Sequence, residues 1–127
     1  MKTLLLILSL LLITTNAYAE WTFIGESVED SVMFYDNSTV KRNGDRVRVW
    51  MYINVSPEQV KSRNMGSARS LNEIDCVNET FKTLSLSAYT KSNLKGEVRH
   101  TTEPDPTIVY IPPSSTYSTL MKLVCKK

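Results

Sequence analysis

The stretch VKRNGDRVRVWMYINV, residues 40–55, alternates apolar and polar side chains with a period of two over its second half. Val47, Val49, Met51, Ile53 and Val55 fall on one side of an extended chain, and Arg46, Arg48, Trp50, Tyr52 and Asn54 on the other. Successive Cβ atoms of a strand point to opposite faces, so this pattern predicts a half-buried antiparallel strand. Asn43-Gly44 before it favours the positive φ angles of a two-residue hairpin turn, which would fold Lys41 and Arg42 back alongside.

Shorter segments of the same kind lie on both sides. EWTFIGES (20–27) reads as a first strand ending at Gly25, and SVMFYDNST (31–39) as a second, with Val32 and Phe34 alternating against Met33 and Tyr35. SPEQVKSRNMGSARS (56–70) interrupts the pattern: Ser56 and Pro57 suit the start of one helical turn, and the polar remainder reads as a loop. Further on, Ile74 and Cys76 share one phase and Leu84, Leu86 and Ala88 another, with Phe81 out of step. That slip predicts a bend or bulge between Val77 and Phe81. GEVRHT (96–101) and TIVYI (107–111) complete the strands, separated by a turn at EPDP (103–106). The period then changes. Tyr117, Leu120, Met121 and Val124 are spaced as the apolar stripe of an amphipathic helix, with Ser114 or Ser115 as its cap. The expected fold is α+β: a single antiparallel sheet of about six strands with a C-terminal helix packed on one face.

MKTLLLILSLLLITTNAYAE (1–20) has a single positive charge, a short apolar run and a small-x-small ending at Ala17-Tyr18-Ala19. This is the layout of a secretory signal peptide and is too short for a membrane-spanning helix, so residues 1–19 are expected to be removed and 20–127 to form one domain. With no cysteine near the cleavage point, no lipid anchor is expected. Nothing later is apolar enough to span a bilayer, which predicts a periplasmic, secreted or cell-surface protein.

Export bears directly on the cysteines. The chain has two, Cys76 and Cys125, and thiols in a small exported domain usually pair. Their spacing fits neither a zinc site nor a C-x-x-C redox pair, and the single histidine, His100, could not complete a tetrahedral site with them. A Cys76–Cys125 disulfide is therefore expected, tying the terminal helix to the sheet.

The formal net charge is only +2, of which Lys2 supplies one unit, and this balance argues against a nucleic-acid binder. No catalytic constellation converges. His100 reads as a solvated strand-end residue, and Glu73 and Asp75 as the polar face of a strand; four glycines leave no phosphate-binding loop. No cofactor and no metal are expected, and the chain reads as non-enzymatic. Recognition chemistry concentrates on one face: Arg46, Arg48, Trp50 and Tyr52 form a row of guanidinium and aromatic groups, the residue types that dominate binding hot spots. Lys41 and Arg42 extend its positive end. The same row would equally serve as a ladder covering the sheet.

These residues, in their order, resemble the surface-adhesin protein E family. The resemblance is carried by RVRVW (46–50), by SARSLNEIDCVNETFKTLSLSAY (67–89) with its Asp75-Cys76, by KGEV (95–98), by IPPSS (111–115) and by the closing Val124-Cys125. It implies one antiparallel sheet with a C-terminal helix, and it implies adhesion to host extracellular-matrix or serum proteins. The leading expectation is an exported binding module whose partner is a protein or an anionic polymer. The alternative is a structural or stress-related periplasmic protein without a host partner. N-terminal sequencing of the exported protein is expected to begin at Glu20; a product beginning at Met1 and extracted only by detergent would contradict the signal-peptide assignment.

Overall fold

In the computed structural model, which describes residues 20–27, 30–102 and 107–126 (of 100–102 the backbone alone), the apolar side of β-rich residues 46–54 lies beneath a helix and the polar side faces away from it. The expected signal segment 1–19 and the EPDP turn lie outside the described residues, as does the side chain of His100. The strands are β1 (Trp21–Glu26), β2 (Val32–Asp36), β3 (Lys41–Asn43), β4 (Arg46–Asn54), β5 (Ser67–Asp75), β6 (Thr80–Tyr89), β7 (Val98–Thr102) and β8 (Val109–Tyr110). All pairings are antiparallel, in the order β1-β2-β4-β5-β6-β7. A helix, Thr116–Val124, follows β8.

The sheet has eight strands, not about six, because two of its six positions are split. Alongside β4, β2 pairs with Met51–Asn54 and β3 with Arg46–Arg48. Between them a single 3-10 turn, Asn37–Thr39, carries the chain out of the sheet. Asp36 nucleates that turn by accepting from the Ser38 amide at 2.9 Å, and the Thr39 hydroxyl accepts the Trp50 amide that no strand residue meets, at 3.1 Å. In the same way β6 pairs with β8 at Thr80–Phe81 and with β7 at Leu86–Tyr89.

Three local expectations shift. The hairpin turn sits one residue later than Asn43-Gly44: Asn43 pairs with Arg46, and Gly44 at φ 61° occupies the first turn position, a conformation that costs an L side chain energy. The serine-rich loop is shorter than 56–70, with a helix at Val60–Arg63 and β5 already under way at Ser67. Ser67 is fully buried, and its hydroxyl donates to the Lys91 carbonyl at 2.6 Å and accepts the Leu94 amide at 2.9 Å, so side-chain bonds anchor a strand start of low β-propensity. Finally, residues 76–79 form a plain turn, Cys76 lies one residue beyond β5, and the phase slip falls inside β6. Leu71 pairs with Ser85 but Asn72 with Thr83, leaving Leu84 as the extra residue of a bulge. The bulge returns Phe81 to the same face as Leu86 and Ala88.

The core lies between the sheet and the helix. Val47, Val49, Ile74 and Leu120 have no exposed surface, and Ile24, Met33, Tyr35, Met51, Ile111 and Val124 surround them. Each such aliphatic side chain contributes about 2 kcal/mol by leaving water. Ser115 caps the helix by accepting the Ser118 amide at 3.1 Å, and its stripe of Tyr117, Leu120, Met121 and Val124 faces the sheet as the spacing predicts. Tyr117 stacks on Phe81 with ring centroids 4.1 Å apart. Asn72, buried among these apolar groups, donates to the Ser70 hydroxyl at 2.8 Å and accepts from Thr83 at 2.9 Å, so its amide is satisfied across β5 and β6.

Cys76 and Cys125 form a disulfide, with Cα atoms 5.8 Å apart. It closes the end of the helix onto the turn after β5. In the chain-entropy account, a loop of 49 residues removes about 4 kcal/mol of unfolded-state freedom. Replacing both cysteines by serine is expected to lower the unfolding free energy by roughly that amount, a large part of the ~5–15 kcal/mol typical of such a domain. Urea melts of the two proteins measure the difference directly.

Candidate functional site

Register places Arg46, Arg48, Trp50 and Tyr52 together on the face of β4 that the helix does not cover. Their cross-strand partners on β5 are Asp75, Glu73, Leu71 and Arg69, and Lys41 of β3 stands opposite Arg48. Lys82 of β6 stands opposite Glu73. Arg42 does not join them. It pairs with Val47, on the helix side, and its guanidinium reaches the Val124 carbonyl at 3.4 Å near the helix C-terminus.

The positive end is organised around one carboxylate. Glu73 has a side chain 9 % exposed, and it accepts from Arg48 Nε at 2.9 Å and Arg46 Nη1 at 3.4 Å, with Lys82 Nζ at 3.5 Å. Burial pushes its carboxyl up, but the Arg48 hydrogen bond and the Lys82 charge together outweigh burial and hold it below its ordinary value. Asp75 sits beside Arg46 on the same face and is also held low, chiefly by hydrogen bonds from the backbone and side chain of Asn78, with the Val77 amide adding to them. Each carboxylate therefore has its own engagement. Arg46 and Arg48 remain 60 % and 58 % exposed, and ion pairs that open to water contribute about 0–1 kcal/mol. Stability alone does not account for so many cations on one carboxylate. Each arginine has five N–H donors and gives one of them to Glu73.

The other end is aromatic. Tyr52 stacks on Phe34 at 4.6 Å and meets the edge of Trp21 at 4.7 Å, and Phe34 in turn contacts Phe23 at 6.1 Å. Burial pushes the Tyr52 phenol up. Phe23 is 55 % exposed. The Arg69 guanidinium lies 5.2 Å from the Trp50 ring centre, and its Nε is buried without a hydrogen-bond partner among the described residues. One outer face thus joins an arginine–lysine cluster to a continuous group of rings.

Several clefts open along this face, one of them between Arg46, Glu73, Asp75 and Lys82, and two others adjoin each other. The first of these, of about 390 Å³, reaches around the edge strand β3: Lys41, Asn43, Arg46, Arg48 and Glu73 line it, with Arg42 from the helix side. The other, of about 320 Å³, is lined by Ser38, Thr39, Lys41, Arg48, Trp50 and Leu71. They share Lys41 and Arg48. Among the described residues no three histidine, cysteine, aspartate or glutamate side chains gather as a metal site, and no helix is long and apolar enough to cross a membrane.

The alternation of residues 46–52 was enough to align their four side chains. It could not show that Trp21, Phe23, Phe34 and Arg69 join them, because those contacts require the strand order β1-β2-β4-β5. The one local hint was the alternation of residues 32–35, which sets Phe34 off from the core side of β2.

A family profile described as surface-adhesin protein E matches residues 21–126. No match was found among curated proteins. Among solved structures, protein E of Haemophilus influenzae is similar in fold. One crystal form superposes with a TM-score of 0.63 at 15 % identity, covering 87 % of this chain and 91 % of that one. Another structure of Haemophilus influenzae protein E gives 0.62 at 14 % identity, covering 87 % of each chain. Protein E from non-typeable Haemophilus influenzae gives 0.60 at 14 %, covering 87 % of this chain and 78 % of that one.

Glu73 offers a test by acid titration. Its carboxyl is lower in the folded protein than its ordinary value near 4.5, so the unfolded state binds its proton first as the pH falls. The stability from ionised Glu73 is complete above about pH 4.5 and is lost as the pH falls through the lower, folded value. Glu73→Gln is expected to destabilise the protein at neutral pH and to show a shallower loss of melting temperature in acid than the parent protein, with Asp75 supplying the remaining slope.

Proposed function

As the chain belongs to the surface-adhesin protein E family, we propose that it is an exported, non-enzymatic binding module that docks a host extracellular-matrix or serum protein on the outer face of its sheet. The observation that carries this reading is the meeting of exposed arginines with half-buried contiguous rings, ending at exposed Phe23, on the face left uncovered by the helix. Hot spots draw on tryptophan, tyrosine and arginine because these supply wide contact area and directed donors with few rotatable bonds. Export rests on the signal peptide expected in residues 1–19.

A second reading, a structural or stress-related periplasmic protein, has its own support. Trp50 is already covered by Arg69, and Tyr52 is held between Phe34 and Trp21, so these rings satisfy one another without a partner.

Immobilised matrix and serum proteins, probed with the purified domain, separate the two. On the binding reading, Trp50→Ala costs the complex about 2 kcal/mol or more while the fold stays intact by circular dichroism. Arg46→Ala and Arg48→Ala chiefly slow association and flatten its dependence on salt, because exposed charges steer encounter more than they hold the complex. Capture that is unchanged by Trp50→Ala in a folded protein, or no capture at all, favours the second reading.

A further inference from the structure

We propose that the trough running from Arg46 past Lys41 and Arg48 to Trp50 binds a linear anionic polysaccharide through its sulfate or carboxylate groups. The proposal rests on the reading of the outer face as a docking surface and assigns a ligand class to one part of it.

The shape comes first. The two clefts share Lys41 and Arg48 and so adjoin each other beside β4. Together they span roughly 13 Å from Arg46 to Trp50 at the usual strand rise. The second cleft lies where the 3-10 turn steps out of the sheet and leaves Val49 and Trp50 of β4 without a strand partner on that side.

The chemistry changes along the trough. Arg46, Arg48 and Lys41 line one end, and buried Glu73 orients the two guanidinium groups; with Lys82 these cations outnumber the carboxylates of Glu73 and Asp75, so the cluster stays positive. Side chains of one face recur about 7 Å apart along a strand, so the two guanidinium groups stand about that far apart. A chain of like monomers with repeated oxyanions matches such a row, and guanidinium forks bond oxyanions through two parallel donors. The far end is half-buried Trp50 beside Leu71, apolar surface suited to the C–H face of a sugar ring. An acidic peptide fits less well. β4 is paired on both sides over most of its length, so a peptide could extend the sheet here only along β3, an edge of three residues.

The test measures binding of a heparin octasaccharide, its fully desulfated counterpart and a polyglutamate peptide of equal charge by isothermal calorimetry. The heparin octasaccharide is expected to bind most tightly, with affinity falling as salt is raised from about 0.05 to 0.3 M. Lys41→Ala with Arg48→Ala should weaken it roughly tenfold or more, the effect of losing charge-assisted bonds. Lys122→Ala with Lys126→Ala, an equal loss of charge around the C-terminal helix, should leave it nearly unchanged. The proposal is overturned if both double variants weaken binding alike, because the attraction is then diffuse. It is also overturned if polyglutamate binds as tightly with the same sensitivity, which makes the trough a site for acidic protein. If the oligosaccharide does not bind while a matrix protein does, in a manner sensitive to Trp50→Ala, the ligand class fails and the docking face stands. If neither binds, both fail.

Discussion

Burial of one side of β4 governs the rest of the molecule. Val47, Val49 and Met51 have almost no exposed surface, and they sit between Ile74 on the next strand and Leu120 on the helix. A strand slipped by one residue would drive Arg46, Arg48 and Trp50 into that space and lift three apolar side chains into water. The cost would be several kcal/mol from lost burial alone, before any penalty for unpaired guanidinium groups. Register is thereby set by the core, and the composition of the outer face follows from it. The disulfide acts on the same arrangement from the other end, holding the short helix where its stripe can cover these residues.

The outer face has a different physics from the core. Its cations share a carboxylate that water scarcely reaches, and its rings stack across three strands. Solvent weakens the ion pairs, so they organise side chains more than they stabilise the fold. The rings do both, since a contact such as Phe34 on Tyr52 adds stability and also presents a rigid surface. This dual character explains why sheet cover and partner contact are hard to separate for Trp50 by inspection, and why binding and folding must be measured on the same variant.

How much of this could be read in advance depends on whether the information was local. The alternation of residues 47–55, the 3.6-residue stripe from Tyr117 to Val124 and the pairing of the two cysteines rest on neighbours in sequence or on the expected compartment, and all three match the structure. The splitting of two sheet positions was not legible, because it follows from how Asp36, Thr39 and Trp50 meet across the sheet. The start of β5 at Ser67 was hidden by a serine-rich composition that suggests loop, whereas buried hydroxyl bonds hold it as strand. The bulge at Leu84 was detected as a lost phase but placed too early, since a turn and a bulge both break alternation. For the site, the four side chains on β4 were legible. Their companions on β1, β2 and β5 were not, because only the order of strands brings them near.

The helix covers a single face, and this has a consequence for how such a chain can change over generations. Residues that fold the protein and residues that meet its surroundings occupy opposite sides of the same strands, one position apart. Substitutions at 46, 48, 50 or 69 alter what the surface offers while leaving Val47, Val49, Met51 and Ala68 in place. What the surface presents can then drift under a nearly constant scaffold, with little of the usual conflict between a changed surface and a stable core. The persistence of this fold at about 15 % identity to a solved relative is what such a division of labour allows.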